Sequence, residues 1–313
     1  MKLKRIIPLF LLSASLSACA YHFSIKGDFE YKDDTYDIVD SLTLERTNKA
    51  HVVLLYGQSN ADGVSYNSCL EDKDFAKFEE YRDGYDNVYI NFYNDYGNNS
   101  SNFEFKKCTL GCGCSKDCFG PEMGIAEQLH YSYKDEQCFI IKSAFGGTRL
   151  KDQWLDGHHD RGDLYNVSMD FTLKSLRYLK KVGYEITIEG ICWMQGESDA
   201  LWDESVAYYR NTEAYVSLLR HDLKEFGDNI KSVDATINED DGVWPHPEAI
   251  NEAKKNFAET SKLNYLIDTK ILQLTTRNEP EEKPDLAHYD SLSMVKLGQE
   301  FGKIITNNKN IKN

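Results

Sequence analysis

From residue 51 to residue 305, short continuous apolar runs alternate with longer stretches in which apolar residues recur every three to four positions. The runs predict strands over 51–56, 137–144, 186–194, 232–237 and 265–267. The longer stretches predict helices over 121–133, 165–182, 204–226, 248–263 and 292–305. Strands that stay apolar without alternating are buried on both faces, which a parallel sheet covered by helices provides. The rhythm is βαβ, so the expected fold class is α/β: one domain built as a three-layer α/β/α sandwich with a central, mostly parallel sheet.

The ends of the chain are expected to lie outside that domain. Lys2, Lys4 and Arg5 precede an apolar run at 6–12 broken only by Pro8, and Leu16-Ser17-Ala18-Cys19 closes it. This is a secretory leader, and the run is too short to cross a membrane as a helix. The ending resembles the bacterial lipoprotein box, which implies a signal peptide over 1–18 and lipidation of Cys19. The alternative is simple cleavage after Ala18 or Ala20. The lipoprotein reading makes the protein an exported, membrane-anchored component of the cell envelope, held only by its N-terminal lipid. Residues 19–50 read as a tether with one edge strand, 51–306 as the domain, 64–119 as a Cys-rich insertion within it that contains a strand-like stretch at 87–93, and 307–313 as a tail. With 36 basic against 51 acidic residues the net charge is −15, which repels phosphate backbones and excludes nucleic acid as a natural partner.

Seven cysteines follow Cys19. Export to an oxidising compartment favours disulfides, and the odd number leaves one thiol unpaired if all bonds are internal. Cys192, within an apolar run, is the expected free thiol. The other six, Cys69, Cys108, Cys112, Cys114, Cys118 and Cys138, are expected to form three bonds. The alternative is a metal held by the 108–118 cluster, although its spacing is not that of a CxxC knuckle.

Ligands of parallel α/β sheets sit beyond the carboxyl ends of the strands, so the loops there carry the chemistry. The first reads Gly57-Gln58-Ser59-Asn60-Ala61-Asp62-Gly63. A serine in a sharp strand-to-helix turn exposes its hydroxyl as a nucleophile, but Ser59-x-x-Asp62 also suits a capping box, and both readings stand. Phe145-Gly146-Gly147-Thr148 is a turn whose glycines let a backbone N–H approach a substrate oxygen. After the next strand, Gln195 in Met194-Gln195-Gly196-Glu197-Ser198-Asp199 offers an amide to a developing oxyanion, while Glu197 to Asp199 also suit a helix entry. Asp285 lies three residues before His288, within reach of its Nδ1.

These blocks, together with Phe119-Gly120-Pro121-Glu122, Gly147-Thr148 followed by Trp154, and Trp193-Met194-Gln195-Gly196-Glu197-Ser198-Asp199, resemble the SGNH hydrolase superfamily. Within it they are similar to the sialate O-acetylesterase-like carbohydrate esterases that include acetylxylan esterases. The resemblance spans 52 to about 305 and implies an SGNH/flavodoxin-like fold. It implies Ser59 as nucleophile, His288 as base and Asp285 as its orienter. The oxyanion hole would be formed by Ser59 N–H, Gly147 N–H and the Gln195 side chain, with Gly146 as substitute for Gly147. No metal or organic cofactor is implied, and the partner is an acetylated carbohydrate substrate. Ala61 stands where the family commonly has Met, and the Cys-rich insertion is not part of the family pattern. A neutral histidine base predicts activity that falls below roughly pH 6–7. Rival readings are an esterase for another acyl ester or thioester, and a catalytically idle glycan-binding lipoprotein. Trp154, Trp202 and Trp244 are expected to pack in the core or a lid, with sugar stacking as the alternative.

Overall fold

A computed structural model describes residues 25, 27–30, 36–44, 47–202, 205–239 and 242–307. The predicted signal peptide, Cys19 and nearly all of the tail lie outside the described residues. In chain order the elements are β1 (Lys49–Gly57), α1 (Ser59–Asp62), β2 (Ser65–Tyr66), α2 (Asn67–Lys73), α3 (Phe75–Asp83) and β3 (Val88–Asn94). There follow β4 (Asn99–Ser100), β5 (Lys106–Lys107), β6 (Cys118–Phe119), α4 (Glu122–Ser132), β7 (Gln137–Ala144) and α5 (Asp163–Val182). The chain closes with β8 (Glu185–Met194), α6 (Ser205–Asp222), β9 (Lys231–Ala235), α7 (Pro247–Ala258), β10 (Asn264–Ile267) and α8 (Ser291–Ile305).

The main sheet has the order β10-β9-β8-β1-β7-β3-β4, with β5 also on β3. Its six longer strands are parallel; β4 and β5 run antiparallel at the edge. Helices α4 and α8 pack together on one face, while α5, α6 and α7 cover the other, giving the three-layer α/β/α sandwich. β1 sits at the centre, and Val52 to Gly57 are buried, as continuous apolar strands require. The chain leaves β1 toward the α4 face and β7 toward the α5 face, so a crevice opens beyond the carboxyl ends of these neighbours.

The 64–119 segment contains α2 and α3, and its strand-like stretch at 87–93 is β3, which joins the sheet beside β7 with Tyr93 opposite Ser143. One expectation for the N-terminal half is corrected: residues 36–44 form neither a tether nor an edge strand. They lie outside helix and strand along α5, with Tyr36 hydroxyl donating to Asp170 and the N–H groups of Ser41 and Leu42 donating to Tyr178.

A second correction concerns the cysteines. All seven described thiols are free, so none of the three expected bonds is formed. Cys114 and Cys118 nevertheless touch: a hydrogen bond between them pulls the Cys118 thiol down to about 7 and pushes that of Cys114 up.

Candidate active site

The turn that carries Ser59 exists because residue 57 is glycine. Gly57 has φ +145°, and a Cβ there would lie 1.9 Å from Met194 O, so only a bare backbone lets the end of β1 approach the end of β8. The chain turns at once into α1, whose N-cap is Gln58. No side chain caps that helix, so the capping-box reading of Ser59 does not hold in the fold. The Ser59 hydroxyl is half-buried, and its backbone N–H has no acceptor among the described residues.

The loops beyond β1, β7 and β8 are stitched together beneath this turn. Gln58 Oε1 accepts from Ser198 N–H at 3.2 Å and from Gln195 Nε2 at 3.2 Å. Gln195 Nε2 also donates to Thr148 O at 2.9 Å and to Asp199 Oδ2 at 2.6 Å, while Gln195 Oε1 accepts from the Tyr208 hydroxyl. Gln195 is wholly buried. Its amide is therefore committed to holding three loops in register, and the expectation that it donates to an oxyanion is corrected: it offers no N–H to the cleft.

The paired glycines divide in role. Gly146 N–H donates to Asp95 Oδ1 at 2.7 Å, and a Cβ on Gly146 would lie 3.9 Å from Ser59 Cβ, so this loop borders the serine directly. Gly147 is exposed at φ +67° with open space around it, and its N–H has no acceptor among the described residues. Asp95 gave no signal in the sequence, because it follows a polar strand and sits itself at φ +41°.

His288 Nδ1 lies 2.6 Å from Asp285 Oδ2, which leaves Nε2 available. The segment bearing this histidine is bound to the residue after Ser59. Asn60 Oδ1 accepts from Tyr289 N–H at 3.2 Å, and Asn60 Nδ2 donates to Ala287 O at 3.3 Å and Glu197 Oε1 at 2.7 Å. Residues separated by more than two hundred positions thus meet at one rim. No hydrogen bond joins Ser59 Oγ to His288 here. Such bonds are commonly long in unliganded sites and tighten around substrate.

Beneath the rim, Lys142 and Glu122 form an ion pair with no solvent exposure, at 2.8 Å. Lys142 Nζ also donates to Asp62 O and Cys112 O, tying the end of α1 to the Cys-rich loop and α4. Burial pushes the adjacent Asp62 carboxyl up to about 8; Lys142 opposes the shift, and the Asp95 and Glu122 carboxylates add to it. Trp154 is core, edge-on to Trp193 at 5.0 Å, whereas Trp202 is exposed and faces the Arg149 guanidinium at 5.6 Å.

Residues 49–307 match the family described as carbohydrate esterase, sialic acid-specific acetylesterase (SASA). The chain belongs to that family. It is a carbohydrate acetylesterase, a carboxylic ester hydrolase. No curated protein matches this family member significantly in sequence. Solved structures share its fold. NanS aligns at TM-score 0.60 and 17% identity, covering 84% of this chain and 98% of NanS. The Arabidopsis thaliana protein AT4G34215 aligns at TM-score 0.59 and 19% identity, covering 82% and 98%. A carbohydrate acetylesterase from Xanthomonas citri, XAC1771, aligns at TM-score 0.51 and 13% identity, covering 82% of this chain and 55% of its own.

Proposed function

We propose that this SASA-family esterase removes O-acetyl groups from carbohydrate through Ser59, His288 and Asp285, as an exported lipoprotein anchored at Cys19. His288 Nε2 takes the proton as Ser59 Oγ attacks the ester carbonyl. Asp285 fixes the tautomer and steadies the imidazolium, and the oxyanion meets the N–H groups of Ser59 and Gly147. Collapse releases the sugar alcohol, which takes the proton back from His288. Water activated by the same base then frees acetate.

The observation that carries this reading is the Asn60 clamp, which holds residues 287–289 against the serine turn. The contact between Asp285 and Nδ1 supports the histidine's role as base.

The test is acetate release from acetylated glycans by the purified protein. Ser59→Ala is expected to lower turnover by at least about 10³-fold. Turnover equal to that of the parent protein would remove Ser59 from the reaction.

A further inference from the structure

Where Tyr93 ends β3 lies a cavity of about 750 Å³, within the roughly 300–1,000 Å³ range of small-ligand sites. It is bounded by the N-terminal segment, the end of β3, the 156–161 turn and the first turns of α5. Phe29, Tyr36, Tyr93 and Phe103 give it aromatic walls. Five carboxylates line it: Asp28, Glu30, Asp156, Asp160 and Asp170. Arg161, the one lining cation among the described residues, is already bidentate on Asp222, at 2.8 and 2.6 Å. Lys224 answers Asp28 and Lys174 answers Asp170, so an excess of negative charge remains.

Two details connect this cavity to a saccharide and to Ser59. Asp170 Oδ1 is buried with no hydrogen-bond partner among the described residues, while its Oδ2 accepts from Tyr36. The acceptor capacity of this lining carboxylate is therefore not used up within the described residues. Tyr93 packs edge-on against Phe145, 6.4 Å between ring centroids, and Phe145 immediately precedes Gly146. Asp95, two residues beyond Tyr93, holds the Gly146 N–H beside Ser59.

We propose that the cavity is a subsite for an uncharged oligosaccharide. One acetylated residue of the chain reaches Ser59 while a neighbouring sugar lies against Phe29 and donates a hydroxyl to Asp170. Pyranose rings present an apolar face to aromatic walls, and hydroxyls donate well to carboxylates. Sialic acids and uronates carry the charge that this cavity repels. The link to turnover rests on the proposed esterase reaction, but the binding claim stands apart from it.

Direct binding decides the matter. The full chain carrying Ser59→Ala is titrated calorimetrically with tetrasaccharides of xylose, mannose and glucose. Parallel titrations use N-acetylneuraminic acid and oligogalacturonate as anions. At least one neutral chain is expected to bind about tenfold or more tightly than either anion. Phe29→Ala and Asp170→Ala, each verified as folded by thermal melting, are expected to weaken it about tenfold. With Ser59 present, Phe29→Ala is expected to lower the ratio of kcat/KM for an acetylated neutral tetrasaccharide to that for 4-nitrophenyl acetate, also about tenfold. No neutral binding, anions binding as tightly, or indifference to both substitutions would overturn the subsite. A protein that releases no acetate from any ester would refute only the esterase reading, because the titrations do not depend on turnover.

Discussion

Asn60 shows how a single amide sets a site. Its oxygen and nitrogen bond three partners from two distant loops, and it is almost fully buried. Asn60→Ala is expected to leave Tyr289 N–H and Glu197 without these bonds, at about 1–3 kcal/mol of stability, and to loosen the His288 segment. Turnover should fall about 10–100-fold with KM changed little, because a misplaced base costs the transition state more than the ground state. Thermal melting and steady-state kinetics on Asn60→Ala check this; a variant that is destabilised but retains the parent kcat would show that the clamp serves folding alone. The adjacent Ser59 was legible as a nucleophile candidate from its turn. Asn60 was visible only as a letter of the motif, since its partners lie at 197, 287 and 289. Gln195 illustrates the converse: its chemistry suited an oxyanion donor, yet its neighbours Thr148, Asp199 and Gln58 claim its N–H groups.

At the scale of elements, the apolar runs read from the sequence became β1, β7, β8, β9 and β10 within a residue or two at most ends. β3, strand-like at 87–93 in the sequence, buries Asn91 and Asn94 all the same: their amide nitrogens donate to Ser175, Cys112 and Gly113. α8 packs on α4 through glycines: a Cβ on Gly298 would lie 2.3 Å from Pro121 O, a closeness no periodicity reveals. The buried Lys142 on β7 is the element-scale keystone, joining α1, α4 and the Cys-rich loop. Lys142→Met keeps the volume but strands the Glu122 carboxylate and two carbonyls in the interior. It should cost about 3–5 kcal/mol, read as a fall in the denaturation midpoint. A double change, Lys142→Met with Glu122→Gln, should recover part of that loss. Equal stability of single and double variants would mean that the charge pair is not what joins these elements.

Across the whole molecule, the amino end of the sheet carries a titrating device of its own, far from Ser59. His51 lies between Glu136, bonded to Nε2, and Glu189, 2.7 Å from Nδ1, and its ring stacks on Tyr133. Burial lowers its proton affinity, but the hydrogen bonds and charges of the two carboxylates outweigh that, so its value is raised above 6.5. A raised histidine contributes stability that is complete below its unfolded value and disappears as pH climbs through its folded one. Melting temperature is thus expected to decline as pH rises from about 6 to about 9, and less steeply in His51→Gln. Parallel slopes in the two proteins would exclude His51 as the source. What the sequence determined by itself was the sheet, its helices and the serine turn, because these follow from burial patterns and backbone geometry over a few neighbouring residues. Tertiary structure alone decided which polar groups met: that Asn60 reaches residues 287–289, that Gln195 is occupied, and that residues 28–30 line an acidic cavity with α5. Hydrogen bonds and charges act over a few ångströms in space, and the chain's order says nothing about which distant atoms will share that distance.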